Sequence, residues 1–229
     1  MVARGRTKRT GSPKRATAAA ASGSERSVHP VRARQPRQAR VERKTRETDI
    51  VLALNLDGEG RSRVATGIGF LDHMLAALAT HARFDLDARC RGDLHVDAHH
   101  SVEDVGIALG QALRQALGDK KGLVRFGHAY VPLDEALSRA VVDLSGRPWL
   151  HFGAQFRAQR VGDMPTELFE DFFWALVDHG RFNLHLDVVR GRNSHHVAET
   201  LFKATARALA TAVARDPRVK GVPSTKGSL

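Results

Sequence analysis

The sequence predicts an α+β protein made of two fused copies of one unit, each a mixed β-sheet with two helices packed on one face. Three observations carry that prediction. Stretches that alternate apolar and polar residues, as strands do, are interleaved with stretches of helical spacing. The order of these stretches in the first half returns, slightly enlarged, after Gly122. A short signature, His-His-x-x-Glu, occurs at His99–Glu103 and again at His195–Glu199, each time at the head of an apolar-periodic run.

Taken in order, the folded part is expected to begin near Arg40, with pseudo-repeats of about 41–122 and 123–229. "DIVLALNLDGEGRSRVATG" alternates and then turns at Asp57-Gly58, which reads as a strand and hairpin. "FLDHMLAALATH" has helical spacing, and "FDLDARC" and "DLHVD" read as strands. From Ser101 to Leu117, Val102, Val105, Leu109, Leu113 and Ala116 mark one helix face, with Gly118 as a stop. In the second half "HAYVPLD", "ALSRAVVDLS" and "WLHFGAQF" read as strands and "TELFEDFFWALVDH" as a helix. "FNLHLDVV" is a further strand and "SHHVAETLFKATARALATAV" a long helix.

Composition excludes several classes. The longest apolar stretches, Met74 to Ala79 and Ala206 to Ala214, fall well short of the roughly 20 residues of a membrane span. The single Cys90 cannot form an intrachain disulfide, so nothing points to an oxidising compartment and a cytoplasmic or organelle-stromal setting is the default. The net charge of +11 suggests nucleic acid, but residues 1–40 hold eleven Lys or Arg against one acid, Glu25, and so carry +10 of it. With almost no large apolar residues, this segment cannot offset the entropy of ordering itself and is expected to be a disordered basic extension. Its Arg- and Ser-rich, acid-poor start also resembles a cleaved transit peptide, which would make a plastid the address. Nucleic acid binding explains this tail and nothing about the duplicated His clusters.

The signature itself points to metal. Residues three and four apart share a helix face, so Glu103 can approach the same ion as His99 or His100, and Glu199 the same ion as His195 or His196. Adjacent histidines diverge by about 100° around the axis, so one helix serves two ions, or an ion and a substrate. Imidazole and carboxylate without thiolate suit Mn, Fe, Co or Zn in an open, catalytic site. Laying "FLDHMLAAL" over "FEDFFWAL" adds His73 and Asp171 as the first-helix ligands. Eight groups then make two sites of four: His73, His99, His100, Glu103, Asp171, His195, His196 and Glu199. A ferroxidase would use similar ligands, but on an all-helical bundle that the alternating segments argue against.

"TGIGFLDHML", "GDLHVDAHHSVEDVGIALGQAL", "VRFGHAYVPLDEAL", "VDLSGRP", "GRNSHHVAETLFKATARAL" and "PSTKG" together resemble the imidazoleglycerol-phosphate dehydratase family over nearly all of residues 40–229. The resemblance implies a fold like ribosomal protein S5 domain 2, two Mn2+ per active site, and a hollow 24-subunit cage with sites between subunits. It implies dehydration of D-erythro-imidazole-glycerol phosphate to imidazole-acetol phosphate in histidine biosynthesis. The hydrogen lost sits on a carbon with no adjacent carbonyl. Metal activation of the ring is therefore expected to expel the neighbouring hydroxyl first, through a diazafulvene-like species. By resemblance the phosphate is held by Arg125, Arg147, Ser224 and Lys226. Glu47 contacts substrate and handles a proton, His81 lines the pocket, and the clustered histidines touch the substrate as well. Glu103 and Glu199 are carried over as catalytic. Two departures stand out: Asp171 replaces the family's usual His ligand, and Ala98 replaces an Asp in "DDHH".

Overall fold

The computed structural model describes residues 36–229 together with Gly11. Apart from Gly11, the basic extension up to residue 35 lies outside the described residues, and so does its predicted disorder. The first half runs β1 (Gln38–Lys44), β2 (Thr48–Asn55), β3 (Ser62–Ala65), α1 (Gly69–Ala82), β4 (Asp85–Gly92) and α2 (His99–Leu117). The second runs β5 (Phe126–Leu133), β6 (Ala136–Asp143), β7 (Trp149–Gly153), the two-residue strands β8 (Arg160–Val161) and β9 (Met164–Pro165), α3 (Leu168–Gly180), β10 (Asn183–Arg190) and α4 (Ser194–Ala212). Removing the β8–β9 hairpin leaves two identical element orders.

The sheets repeat as well. One has the order β1-β2-β4-β3 and the other β5-β6-β10-β7. In each the first three neighbours are antiparallel and the last strand is parallel to its neighbour. This is the mixed sheet with helices on one face that the sequence predicts, made twice.

Three expectations change. Gln38–Arg40 belong to β1, so the first strand takes in residues that composition assigned to the extension. Arg37 just ahead of it is buried, bonding Asp57 and the Val213 carbonyl, so a basic residue there serves as a clamp. The turn at Asp57-Gly58 does not close a hairpin, because β4 lies between β2 and β3. Asp85, at the start of β4, accepts the backbone N–H groups of Glu59 and Arg61 at 2.9 and 3.0 Å and holds that turn in place. "DLHVD" is a turn, closed by the Val96 N–H on the Asp93 carbonyl at 2.7 Å. Its alternation misled because Leu94 and Val96 are exposed and bury nothing.

Alternation in β2 does bury its apolar face: Ile50, Leu52 and Leu54 lie under the helices while Asp49 faces out. The helices form a layer in which α2 packs on β1 and β2, α4 on β5 and β6, α2 against α3, and α1 against α4. The α2–α3 crossing is close because glycines face it. A Cβ on Gly110 would lie 2.6 Å from the Leu176 carbonyl oxygen and 2.8 Å from the Gly180 nitrogen. Replacing a helix-interior Gly by Ala ordinarily raises stability by roughly 0.5–1 kcal/mol. Gly110→Ala is expected to lower it by about 1–3 kcal/mol through overpacking, and urea unfolding of the variant reads the sign.

Candidate active site

The rotation of each His-His-x-x-Glu helix is set at its first turn. The Asn193 side chain accepts the N–H of His195 at 2.9 Å and caps α4. At the equivalent place in α2, Asp97 accepts the N–H of His99 at 2.8 Å. Glu135 accepts the Arg192 and Asn193 N–H groups at 3.2 and 2.8 Å, fastening the loop into α4.

Two clusters result, and each draws on both halves of the chain. His73 on α1 meets His195 and Glu199 on α4, with donor atoms of all three within 4.8 Å of one another. The Oε2 atom of Glu199 stands 3.2 Å from Nε2 of His195 and 3.7 Å from Nε2 of His73. Its Oε1 atom accepts from Lys203 Nζ at 2.7 Å. Phe70 packs edge-on against both imidazoles. In the second cluster His99 on α2 stands 3.7 Å from Glu103, through Nε2, and 3.6 Å from Asp171 on α3, through Nδ1. Burial raises the pKa of Glu199, but the hydrogen bond and charge of Lys203 outweigh it and hold the carboxyl below its ordinary value.

The remaining histidine of each pair stands outside these triads, as the 100° divergence requires. Nδ1 of His100 pairs with Asp93 at 3.0 Å, and Nδ1 of His196 with Glu135 at 2.8 Å. Each Nε2 faces an exposed acid at 3.9 Å: Glu47 for His100 and Asp134 for His196. A carboxylate on one ring nitrogen fixes the tautomer and leaves the other free to bind a metal. The Asp93 hydrogen bond raises the pKa of His100. The His196 hydrogen bond and the Asn193 N–H hold Glu135 down to about 2. Asp93, Glu135 and Lys203 were not singled out in the sequence. Glu135 was findable, because it immediately precedes β6 as Glu47 immediately precedes β2.

His81, in the last turn of α1, faces α4. Burial first, then the charges of Lys203 and Arg207, lower its pKa. The residues picked for phosphate gather elsewhere. Arg125 holds Asp143 through two bonds of 2.7 and 3.1 Å and donates to the Pro223 carbonyl at 2.8 Å. Ser224 Oγ accepts the Lys226 N–H at 3.2 Å. Gly146, next to the exposed Arg147, has φ +80° and so little room that a Cβ would lie 2.6 Å from the Leu229 carbonyl carbon. The C-terminal segment is thus drawn against Arg125 and the Arg147 loop. The Arg125 N–H bonds the carbonyl of Ala212 at the far end of α4. Ala212 lies thirteen residues along the helix from Glu199, about 20 Å at 1.5 Å per residue. Within one chain the cationic group and the Glu199 cluster sit at opposite ends of α4.

A family model described as imidazoleglycerol-phosphate dehydratase matches residues 66–209. The protein of that name from Acidithiobacillus ferrooxidans is 60% identical over 195 residues, covering 85% of this chain and 98% of the relative. That from Gluconobacter oxydans is 60% identical over 196 residues, covering 85% and 99%. The crystal structure of the Staphylococcus aureus enzyme aligns with a TM-score of 0.72 at 40% identity, covering 78% of this chain and 99% of that one. The Pyrococcus furiosus structure aligns with the same score at 34% identity, covering 82% and 100%. With the duplicated fold, the two crossed clusters and these similarities together, the chain belongs to the imidazoleglycerol-phosphate dehydratase family.

Proposed function

We propose that this chain removes water from imidazoleglycerol phosphate in histidine biosynthesis, using two Mn2+ ions per active site that opposite halves of the chain help to hold. The observation that carries the reading is the crossing of the halves. His73 joins His195 and Glu199 with donor atoms that converge, while at the pseudo-equivalent place Glu103 and Asp171 flank opposite ring nitrogens of His99. The converging donors of the His73 cluster fit a divalent first-row ion: imidazole and carboxylate, with the one thiol, Cys90, buried in the core. When bound, such ions act as Lewis acids on the substrate's ring and orient it.

The residues then divide the work. Glu103 and Glu199 supply anionic ligands at the base of each triad. His100 and His196, each anchored at Nδ1 by a carboxylate, present Nε2 away from the triads of their own chain and so are suited to those of another copy. Glu47, exposed and 3.9 Å from Nε2 of His100, can exchange a proton with a substrate held there. Arg147, Ser224 and Lys226 face the phosphate, with Arg125 ordering the C-terminal segment that carries the last two. Because this cationic group lies about 20 Å along α4 from Glu199, a complete site draws on several copies, and the 24-subunit cage is the assembly proposed. A cytoplasmic setting keeps Cys90 reduced.

Glu103→Gln and Glu199→Gln are each expected to lose Mn2+ and to lower turnover at least about 100-fold, which metal analysis of the purified variants and a ketone-formation assay read together. The two losses must coincide. Binding has to displace the proton favoured on His100, so Mn2+ affinity falls as pH drops through the histidine range. Calorimetry in buffers of different ionisation enthalpy measures the protons released, and a value of zero contradicts the assignment of His100. Finally, Glu199→Gln and Arg147→Ala proteins, inactive apart, are expected to regain part of the activity when dissociated and reassembled together. No recovery means that each chain builds its own site.

A further inference from the structure

Two strand-end acids, Glu47 and Glu135, occupy matching places in the halves but have different partners. Each immediately precedes its strand, β2 or β6, and stands beside the second histidine of a signature helix, His100 or His196. Glu135 commits its carboxylate to the fold. Its Oε2 atom takes Nδ1 of His196 at 2.8 Å, and its Oε1 atom accepts the N–H groups of Arg192 and Asn193 at 3.2 and 2.8 Å. Glu47 stands off instead, 3.9 Å from Nε2 of His100, with its side chain 53% exposed against 28% for Glu135.

The difference traces to one residue after the third strand of each half's antiparallel set. Asp49 opposes Arg91 and Thr48 opposes Gly92 in the first sheet, while Leu137 opposes Arg190 in the second, after a register shift between Val188 and Arg190. Arg91-Gly92 therefore matches Arg190-Gly191, and the residue that follows is Asp93 in one half and Arg192 in the other. Asp93 turns both carboxylate oxygens to Nδ1 of His100, at 3.2 and 3.0 Å. A guanidinium has no acceptor to offer a ring N–H. In the second half that duty falls to Glu135.

Resting on the proton-handling role given to Glu47 above, we infer that Asp93 is a positioning residue: by taking Nδ1 of His100 it releases Glu47, the counterpart of a histidine-bound acid, to act on substrate. A half-buried imidazole N–H needs an acceptor, and a carboxylate is a strong one. With Asp93 absent, the carboxylate remaining within 4.0 Å of the His100 ring is Glu47. The first half would then pair its acid and histidine as the second does. Asp93 also donates its N–H to the Glu47 carbonyl at 3.1 Å, so it holds the backbone of the acid that it leaves free.

The test takes the full chain as Asp93→Ala, as Glu47→Gln and as the double variant, each assayed for ketone formation from imidazoleglycerol phosphate over a range of Mn2+ concentrations. Glu47→Gln is expected to lower kcat about 100-fold or more. Asp93→Ala should approach that loss, and the double variant should fall no further, because one change already withdraws Glu47 from the substrate. Asp93→Asn keeps an acceptor oxygen for Nδ1 and should recover most of the rate. A crystal structure of Asp93→Ala should place the Glu47 carboxylate within about 3.2 Å of a His100 ring nitrogen. Circular dichroism establishes folding, and Asp93→Arg, which copies Arg192, stands in where the alanine variant does not fold. Losses that multiply in the double variant, a Glu47 still apart from His100 in that crystal, or full recovery of Asp93→Ala at high Mn2+ overturns the proposal and leaves the dehydratase reading standing. No ketone from the unsubstituted chain removes both.

Discussion

The packing of α1 on α4 and of α3 on α2 is the constraint on which everything else depends. A helix in one half that packed only on its own sheet would leave His73 with no partner and Glu199 with one imidazole. Because the helices of the two halves interdigitate, each cluster takes one side chain from one copy of the unit and two from the other. The close approach at Gly106 and Gly110 is part of this geometry. A Cβ on Gly106 would stand 2.8 Å from the Phe172 carbonyl oxygen, one residue beyond Asp171. The glycines that let α3 approach α2 therefore bring Asp171 to His99.

Position along the helix is fixed by this packing and rotation by the first turn, and the two are separable in the sequence. Asn193 caps α4, and Asp97, one residue ahead of the α2 N-cap, likewise accepts the N–H of the first histidine with a side-chain oxygen. With rotation fixed, the first histidine and the glutamate share a face toward the neighbouring helix, and the second histidine turns to a carboxylate on a strand-end loop. That division is why a His-His pair recurs. A single histidine could complete a triad or reach outward, but not both.

Much of this was legible in advance. The duplication, all four helices and the long strands other than β1 follow from periodicity, and laying one half over the other picks out His73 and Asp171, which the fold brings to the two clusters, because these residues are set by local pattern. What the sequence hid depends on contacts between distant segments. The order β1-β2-β4-β3 cannot be read from an Asp-Gly turn, since a tight turn predicts a hairpin unless another strand enters between its arms. "DLHVD" alternates like a strand, yet Asp93 goes to His100 and the turn leaves Val96 in solvent. Arg37 looked like one more cation of a basic segment, and only the fold shows its guanidinium buried against Asp57 and Val213. Likewise the choice between His99 and His100 as triad member required the helix rotation, which spacing alone left open.

The duplication also explains how the halves can diverge without loss of the fold. Core positions such as Leu52 and Leu186 answer to packing and stay apolar in both sheets. At and beside the clusters the halves differ: His73 against Asp171, Lys203 against Ile107, Arg207 against Gln111. A substrate with a phosphate at one end and an imidazole at the other is itself unsymmetrical, so a site built from two identical halves would match it poorly. Charge placed on one half and withdrawn from the other gives the two clusters different surroundings while the backbone symmetry that positions them is kept. The two halves are therefore alike in the buried layer, which the fold requires to be apolar, and differ in the residues that face the clusters.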